Sequence, residues 1–85
     1  MRNAAIARVL DEYADLLEID GANTFRVRAY RNAARTLTSH AGSIAALAAE
    51  GAGALTELPG IGEDLAKKII TIVETQRLPQ LEEIR

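Results

Sequence analysis

Between Asn3 and about Glu18, apolar residues recur three or four positions apart at Ile6, Val9, Leu10, Tyr13, Leu16 and Leu17, with Arg8, Asp11, Glu12, Asp15 and Glu18 between them. That interval predicts an amphipathic helix with an acidic outer face, turned away from any polyanion. Asp20-Gly21-Ala22-Asn23 breaks it, with Gly21 as terminator and Asn23 or Thr24 as the next cap. A second helix is predicted from Thr24 to Ser39. On a helical projection Val27, Tyr30, Ala34 and Leu37 share one arc and Arg28, Arg31 and Arg35 the arc beside it, while Arg26 points elsewhere. His40 follows at the helix end, where an imidazolium suits the dipole. Ser43 caps a third helix through Ile44, Leu47 and Ala48 to about Glu50, and Gly51-Ala52-Gly53 ends it.

The stretch from Leu55 to Ile69 holds the tightest turn. A short helix is predicted from about Ala54 to Glu57, because Pro59 disfavours helical geometry at Leu58 and Gly60 and Gly62 permit backbone angles and approaches that a side chain would block. Ile61 reads as an apolar plug inside the turn. After Gly62, the acids Glu63 and Asp64 suit a first helical turn, and Leu65, Ile69, Ile72 and Val73 form a stripe that carries the helix to roughly Thr75. Leu78-Pro79 breaks the chain again, and Gln80 to Arg85 reads as the opening of a further helix.

The fold class that follows is all-α, a compact bundle of four to five short helices. Composition agrees: 48% of the residues are apolar, much of that alanine, with few β-branched or aromatic residues to build a sheet. Residues 1–85 are read as one domain, the amino-terminal module of a longer protein. The chain has no cysteine and one histidine, so neither a disulfide framework nor a thiolate metal site is expected. No apolar run reaches membrane length, and acids interrupt the first dozen positions, so the expectation is a cytoplasmic protein without a membrane partner, and a monomer.

A Gly-rich turn that opens onto a helix leaves backbone N–H groups without intrahelical partners, an arrangement that attracts an anion. A phosphate held there is read without reference to a base, so the expected partner is a nucleic-acid backbone bound without sequence preference, through Gly60, Ile61 and Gly62. The plainer reading is a tight connection between two packed helices. Charge is distributed unevenly: residues 1–20 carry −3, residues 21–42 carry +4 with no acid, and residues 43–85 carry −3, giving a net −2. Three arginines on one stripe fit either a solvated face or a phosphate-facing strip. Lys68 projects to the edge of the apolar arc and Lys67 to the far side, so only Lys68 is placed for partial burial.

Three passages together resemble the amino-terminal eight-kilodalton domain of family X DNA polymerases, the family of DNA polymerase beta and the bacterial polymerases X. They are Leu16-Leu17-Glu18-Ile19 with Gly21, Asn23 and Phe25 to Arg35; Leu58-Pro59-Gly60-Ile61-Gly62 with Ala66, Lys68 and Ile69; and Leu78 to Arg85. The resemblance implies a SAM-like bundle with one helix-hairpin-helix that binds gapped or 5′-phosphorylated DNA in base excision repair. It implies a monovalent cation, Na⁺ or K⁺, held by the main-chain carbonyls of Thr56, Leu58 and Ile61. It further implies 5′-deoxyribose phosphate lyase chemistry with Lys68 as the Schiff-base nucleophile, Tyr30 near it and Arg31 following. Arg26, Arg28, Arg31, Arg35 and Lys67 would be charged support for DNA.

The chain departs from the family's lyases at four places: Phe25 and Arg26 stand where those have a histidine and a lysine, Asp64 replaces a third basic residue, and Thr56 replaces another lysine. Arg26 keeps a charge that suits a phosphate, whereas Asp64 repels one. A lysine nucleophile also needs its pKa lowered by burial or by neighbouring positive charge. No acids are spaced for the two-metal chemistry of nucleotide transfer, so polymerase activity would lie outside these residues. The competing class is a non-catalytic helical module that docks a protein partner.

Overall fold

The structure, a computed structural model, describes residues 1–75. Those residues form five helices, α1 (Asn3–Ile19), α2 (Thr24–Ser39), α3 (Ile44–Glu50), α4 (Ala52–Leu55) and α5 (Glu63–Thr75), and among the described residues there is no strand. The predicted helix from Gln80 to Arg85 lies outside the described residues. Helices α1 and α2 share the most extensive interface, and α5 packs against α1, α3 and α4. One apolar core joins them. Ile6 and Leu10 of α1, Leu37 of α2, Ile44 of α3, Leu55 of α4, and Ile69 and Ile72 of α5 are its largest fully buried side chains. Each such burial contributes roughly 1.5–3 kcal/mol relative to exposure. No described helix is long and apolar enough to cross a membrane.

The helix ends follow the predicted signals. The Asn23 side chain accepts a hydrogen bond from the Phe25 N–H at 2.7 Å, and the Ser43 hydroxyl accepts one from the Ala46 N–H at 3.1 Å. Gly21 takes φ 81° beyond α1, the left-handed region that glycine enters without steric cost. His40 is the C-cap residue of α2 through its backbone N–H, 3.4 Å from the Leu37 carbonyl, rather than through its imidazole.

The fourth helix departs from expectation. It lies at Ala52–Leu55, two residues before the predicted Ala54 to Glu57, and Gly53 sits inside it. The reason is Gly51, whose φ of 111° turns the chain in a single step, so that one residue ends α3 and starts α4. The Thr56 N–H then closes the single turn on the Ala52 carbonyl at 3.0 Å, with Leu55 fully buried beneath it.

Asn3 supplies a clamp that periodicity alone does not disclose. Its side-chain nitrogen donates to the carbonyls of His40 (3.3 Å) and Gly42 (2.7 Å), and its side-chain oxygen accepts from the Ile44 N–H at 2.9 Å. The start of α1 is thereby bonded to the link between α2 and α3. Asn3→Ala would strand these groups and should destabilise the domain by about 1–3 kcal/mol in chemical denaturation. A change within experimental error would show that water replaces the clamp without loss.

Candidate nucleic-acid interface

Between α4 and α5 the chain makes a β-turn with Leu58 first, Pro59 second and Gly60 third, closed by the Ile61 N–H on the Leu58 carbonyl at 3.2 Å. Pro59 pre-sets its own φ, and Gly60, at φ 77°, supplies the positive angle that the third position of a type II turn requires. The Ile61 side chain is buried in the common core while its neighbours Pro59, Gly60 and Gly62 are exposed. The apolar plug is therefore seated as predicted, and it turns the main chain of the hairpin outward.

The Ala66 N–H bonds to the Gly62 carbonyl at 2.9 Å, which makes Gly62 the residue before the first turn of α5. It has no side chain to cap the N–H groups that a helix start leaves open. A Cβ built at Gly62 would meet nothing within 4 Å, and its φ is not positive. The fold thus requires glycine at Gly60 but not at Gly62.

The arginines of α2 divide into three settings. Arg31 is turned to α1, 2.9 Å from Asp15 and 3.8 Å from Glu18, with its side chain 37% exposed. The acidic face of α1 thus reaches one edge of the arginine stripe, where Arg31 is ion-paired at the surface. Arg28 borders the same cleft, with Glu18, Ala22, Thr24 and Val27. Arg35 borders a groove of about 390 Å³ with Thr36, Ser39, His40, Leu58 and Pro59, where the Thr36 hydroxyl donates to the Pro59 carbonyl at 3.3 Å. Arg28 and Arg35 have no ion-pair partner among the described residues. Arg35 is the arginine that the fold brings to the hairpin.

Arg26, which the projection aims away from the stripe, reaches a different place. Its guanidinium donates to the Tyr13 hydroxyl at 3.2 Å, and the Tyr13 ring meets Tyr30 edge-on with centroids 4.8 Å apart. Tyr30 in turn lies beside the Lys68 amine, which donates to the Asp64 carboxylate at 2.9 Å. A polar string from α2 through α1 to α5 results. Tyr13 is the member that sequence reasoning assigned only to the core; a tyrosine within an apolar stripe, whose hydroxyl needs a partner, was the available signal.

The electrostatics of Lys68 run against those of a ready nucleophile. Burial pulls its amine down, but the hydrogen bond from Lys68 to Asp64, together with the neighbouring Tyr30 phenol, outweighs that and holds the pKa above its ordinary value. The same hydrogen bond holds the Asp64 carboxyl below its ordinary range. Burial raises Tyr30, partly opposed by Lys68. Lys67 is exposed on the far side of α5.

The described residues contain no group of histidines, cysteines or acids arranged to hold a metal ion. The carbonyls of Thr56 and Ile61 accept no hydrogen bond among the described residues, and that of Leu58 accepts one, which leaves it a lone pair.

This turn between two helices, with Ile61 inside and its glycines exposed, is the signature of one known motif. The model of the helix-hairpin-helix domain matches residues 1–78. The chain belongs to the helix-hairpin-helix family. No curated protein matches it. The match takes in all five described helices, so the helix-hairpin-helix domain here is the whole bundle and not the turn alone.

The sign of each pKa shift sets a pH window for the ion pair of this helix-hairpin-helix domain. Asp64 is depressed, so its contribution is complete above the ordinary 3.8 and is lost as pH falls through the lower folded value. Lys68 is raised, so its contribution is complete below 10.5 and is lost as pH rises through the higher folded value. Lys68→Met should move the Asp64 titration midpoint upward in carboxylate-detected NMR. An unmoved midpoint would mean that the pair does not form in solution.

Proposed function

We propose that this domain binds the sugar-phosphate backbone of DNA without sequence preference, at gaps or 5′-phosphate ends in DNA repair. The observation that carries the reading is the hairpin: Ile61 fixes the turn from inside, and Gly62 leaves the open N–H groups of α5 reachable by a phosphate with no fold-imposed need for glycine. Family membership supports DNA as the partner. The resemblance to the amino-terminal domain of family X polymerases supports gaps and 5′-ends as the structure recognised. Arg35 beside the turn and Arg26 at the Lys68 end supply charge on either side, and the Thr56, Leu58 and Ile61 carbonyls would hold the monovalent cation that shares the phosphate.

A second activity is favoured by one observation, the enclosure of Lys68, whose side chain is 13% exposed, against the Tyr30 phenol. In this reading Lys68 forms a Schiff base with the aldehyde of a 5′-deoxyribose phosphate, as in the lyases that the chain resembles. The attacking amine must be unprotonated, so the reaction requires Lys68 to leave the hydrogen bond to Asp64 that keeps it charged.

Fluorescence anisotropy on a one-nucleotide-gapped duplex tests the binding reading. Affinity should fall steeply with salt, and Arg35→Ala should lower the slope of log K against log salt by about 1. Gly62→Ala should leave the melting temperature nearly unchanged and weaken binding about tenfold or more, the effect of losing one or two charge-assisted bonds to phosphate. Unchanged binding by Gly62→Ala, or equal and negligible binding to every DNA form, would make the hairpin a structural turn and favour a protein-docking module. For the lyase, borohydride should trap a covalent adduct with DNA bearing a 5′-deoxyribose phosphate, and Lys68→Ala should abolish it. An adduct that survives Lys68→Ala would rule out Lys68 as the nucleophile.

A further inference from the structure

The Lys68 side chain is largely covered and that of its partner is not: the two are 13% and 80% exposed, with Nζ 2.9 Å from the carboxylate oxygen at the surface. The Lys68 amine lies beside Tyr30 of α2, and its largely covered stem has less freedom to move than the exposed Asp64 side chain. Asp64 sits on the first turn of α5 at the surface, and rotation about its side-chain bonds carries its carboxylate into water. Of the two, Asp64 is the member more readily displaced.

What would replace the carboxylate follows from chemistry. A carboxylate and a phosphate present the same feature to an ammonium, an anionic oxygen that accepts a charge-assisted hydrogen bond. The surroundings favour an anion. Arg26 and Lys67 both lie close enough to act on Asp64, and against them stands the exposed Glu63 beside it on the same turn. The open N–H groups of the α5 start are adjacent.

We propose that Asp64 is a specificity-determining residue, which holds the place on Lys68 that a 5′-phosphate of DNA would take and so limits how much that phosphate adds to binding. The inference rests on the reading of the hairpin as a DNA-backbone site. DNA without a 5′-phosphate binds through the hairpin with the Asp64–Lys68 pair intact. A 5′-phosphate gains Lys68 only by displacing Asp64, so its charge is offset against the carboxylate that it expels. Without the carboxylate, the same phosphate would find the ammonium vacant.

The test compares gapped duplexes with a 5′-phosphate and with a 5′-hydroxyl, measured by anisotropy at one salt concentration. Wild type should prefer the phosphorylated gap only slightly, and Asp64→Asn should raise that preference about tenfold, the effect of one charge-assisted hydrogen bond. Asp64→Glu, which keeps a carboxylate one turn before Lys68, should return the preference toward the wild-type value, and adding Lys68→Met to Asp64→Asn should remove the gain. Asparagine is compatible with a helix start and Glu63 remains beside it, so the variant should fold, which circular dichroism checks. If Asp64→Asn strengthens both duplexes equally, or neither, Asp64 is not the determinant although the hairpin still binds DNA. If wild type binds neither duplex, the DNA reading itself falls and this inference falls with it.

Discussion

The structure depends on one residue pointing inward where its neighbours cannot. Ile61 lies in a turn that, by its own composition, would lie free on the surface: Pro59 and the two glycines contribute almost no apolar area. Burial of that one isoleucine against the core shared by all five helices ties the turn to the bundle. The bond from the Ile61 N–H to Leu58 and the positive φ of Gly60 then determine where the remaining amides face. A site made of main chain has no side chain to orient it, so its geometry is only as definite as the packing beneath it. Here that packing is the hydrophobic effect acting at a single position.

Around this turn the charges are sorted by their partners. Arg31 is paired with α1, Arg35 lies next to the turn, and Arg26 lies near the Asp64–Lys68 pair. The net −2 of the whole chain says little about such a surface, because the acids of α1 are partly consumed by Arg31 and the cation most enclosed, Lys68, is paired with the acid nearest to it. Two tyrosines in contact, Tyr13 and Tyr30, meet Arg26 and Lys68 respectively. Their rings belong to the core and their hydroxyls to the string, so the same residues that hold α1, α2 and α5 together also position Arg26 and Lys68.

Much of this was legible in the sequence because its signals are local. The span of α2 from Thr24 to Ser39, the Asn23 and Ser43 caps and the buried Ile61 each depend on residues within a turn or two of one another. What escaped was set by contacts across the chain. A projection of α2 alone cannot show that Asp15 and Glu18, thirteen or more residues earlier, lie opposite Arg31, or that Arg26 meets Tyr13. The α4 boundary failed for a different reason: either glycine of Gly51-Ala52-Gly53 can break a helix, and the structure makes the break at Gly51, at φ 111°, with Gly53 inside α4. Asp64 was read only as a residue that repels phosphate; its bond to Lys68, one turn away on the same face, was not read from the sequence.

The central claim is that the main chain of the hairpin, and not a side-chain patch elsewhere, contacts DNA. The most direct measurement is the change in backbone amide NMR shifts as a gapped duplex is added. The account predicts that the largest changes fall on Gly60, Ile61, Gly62 and Glu63, with smaller ones near Arg35 and little on the outer face of α1. Changes concentrated on α1 or α3 with the hairpin amides unmoved would contradict it.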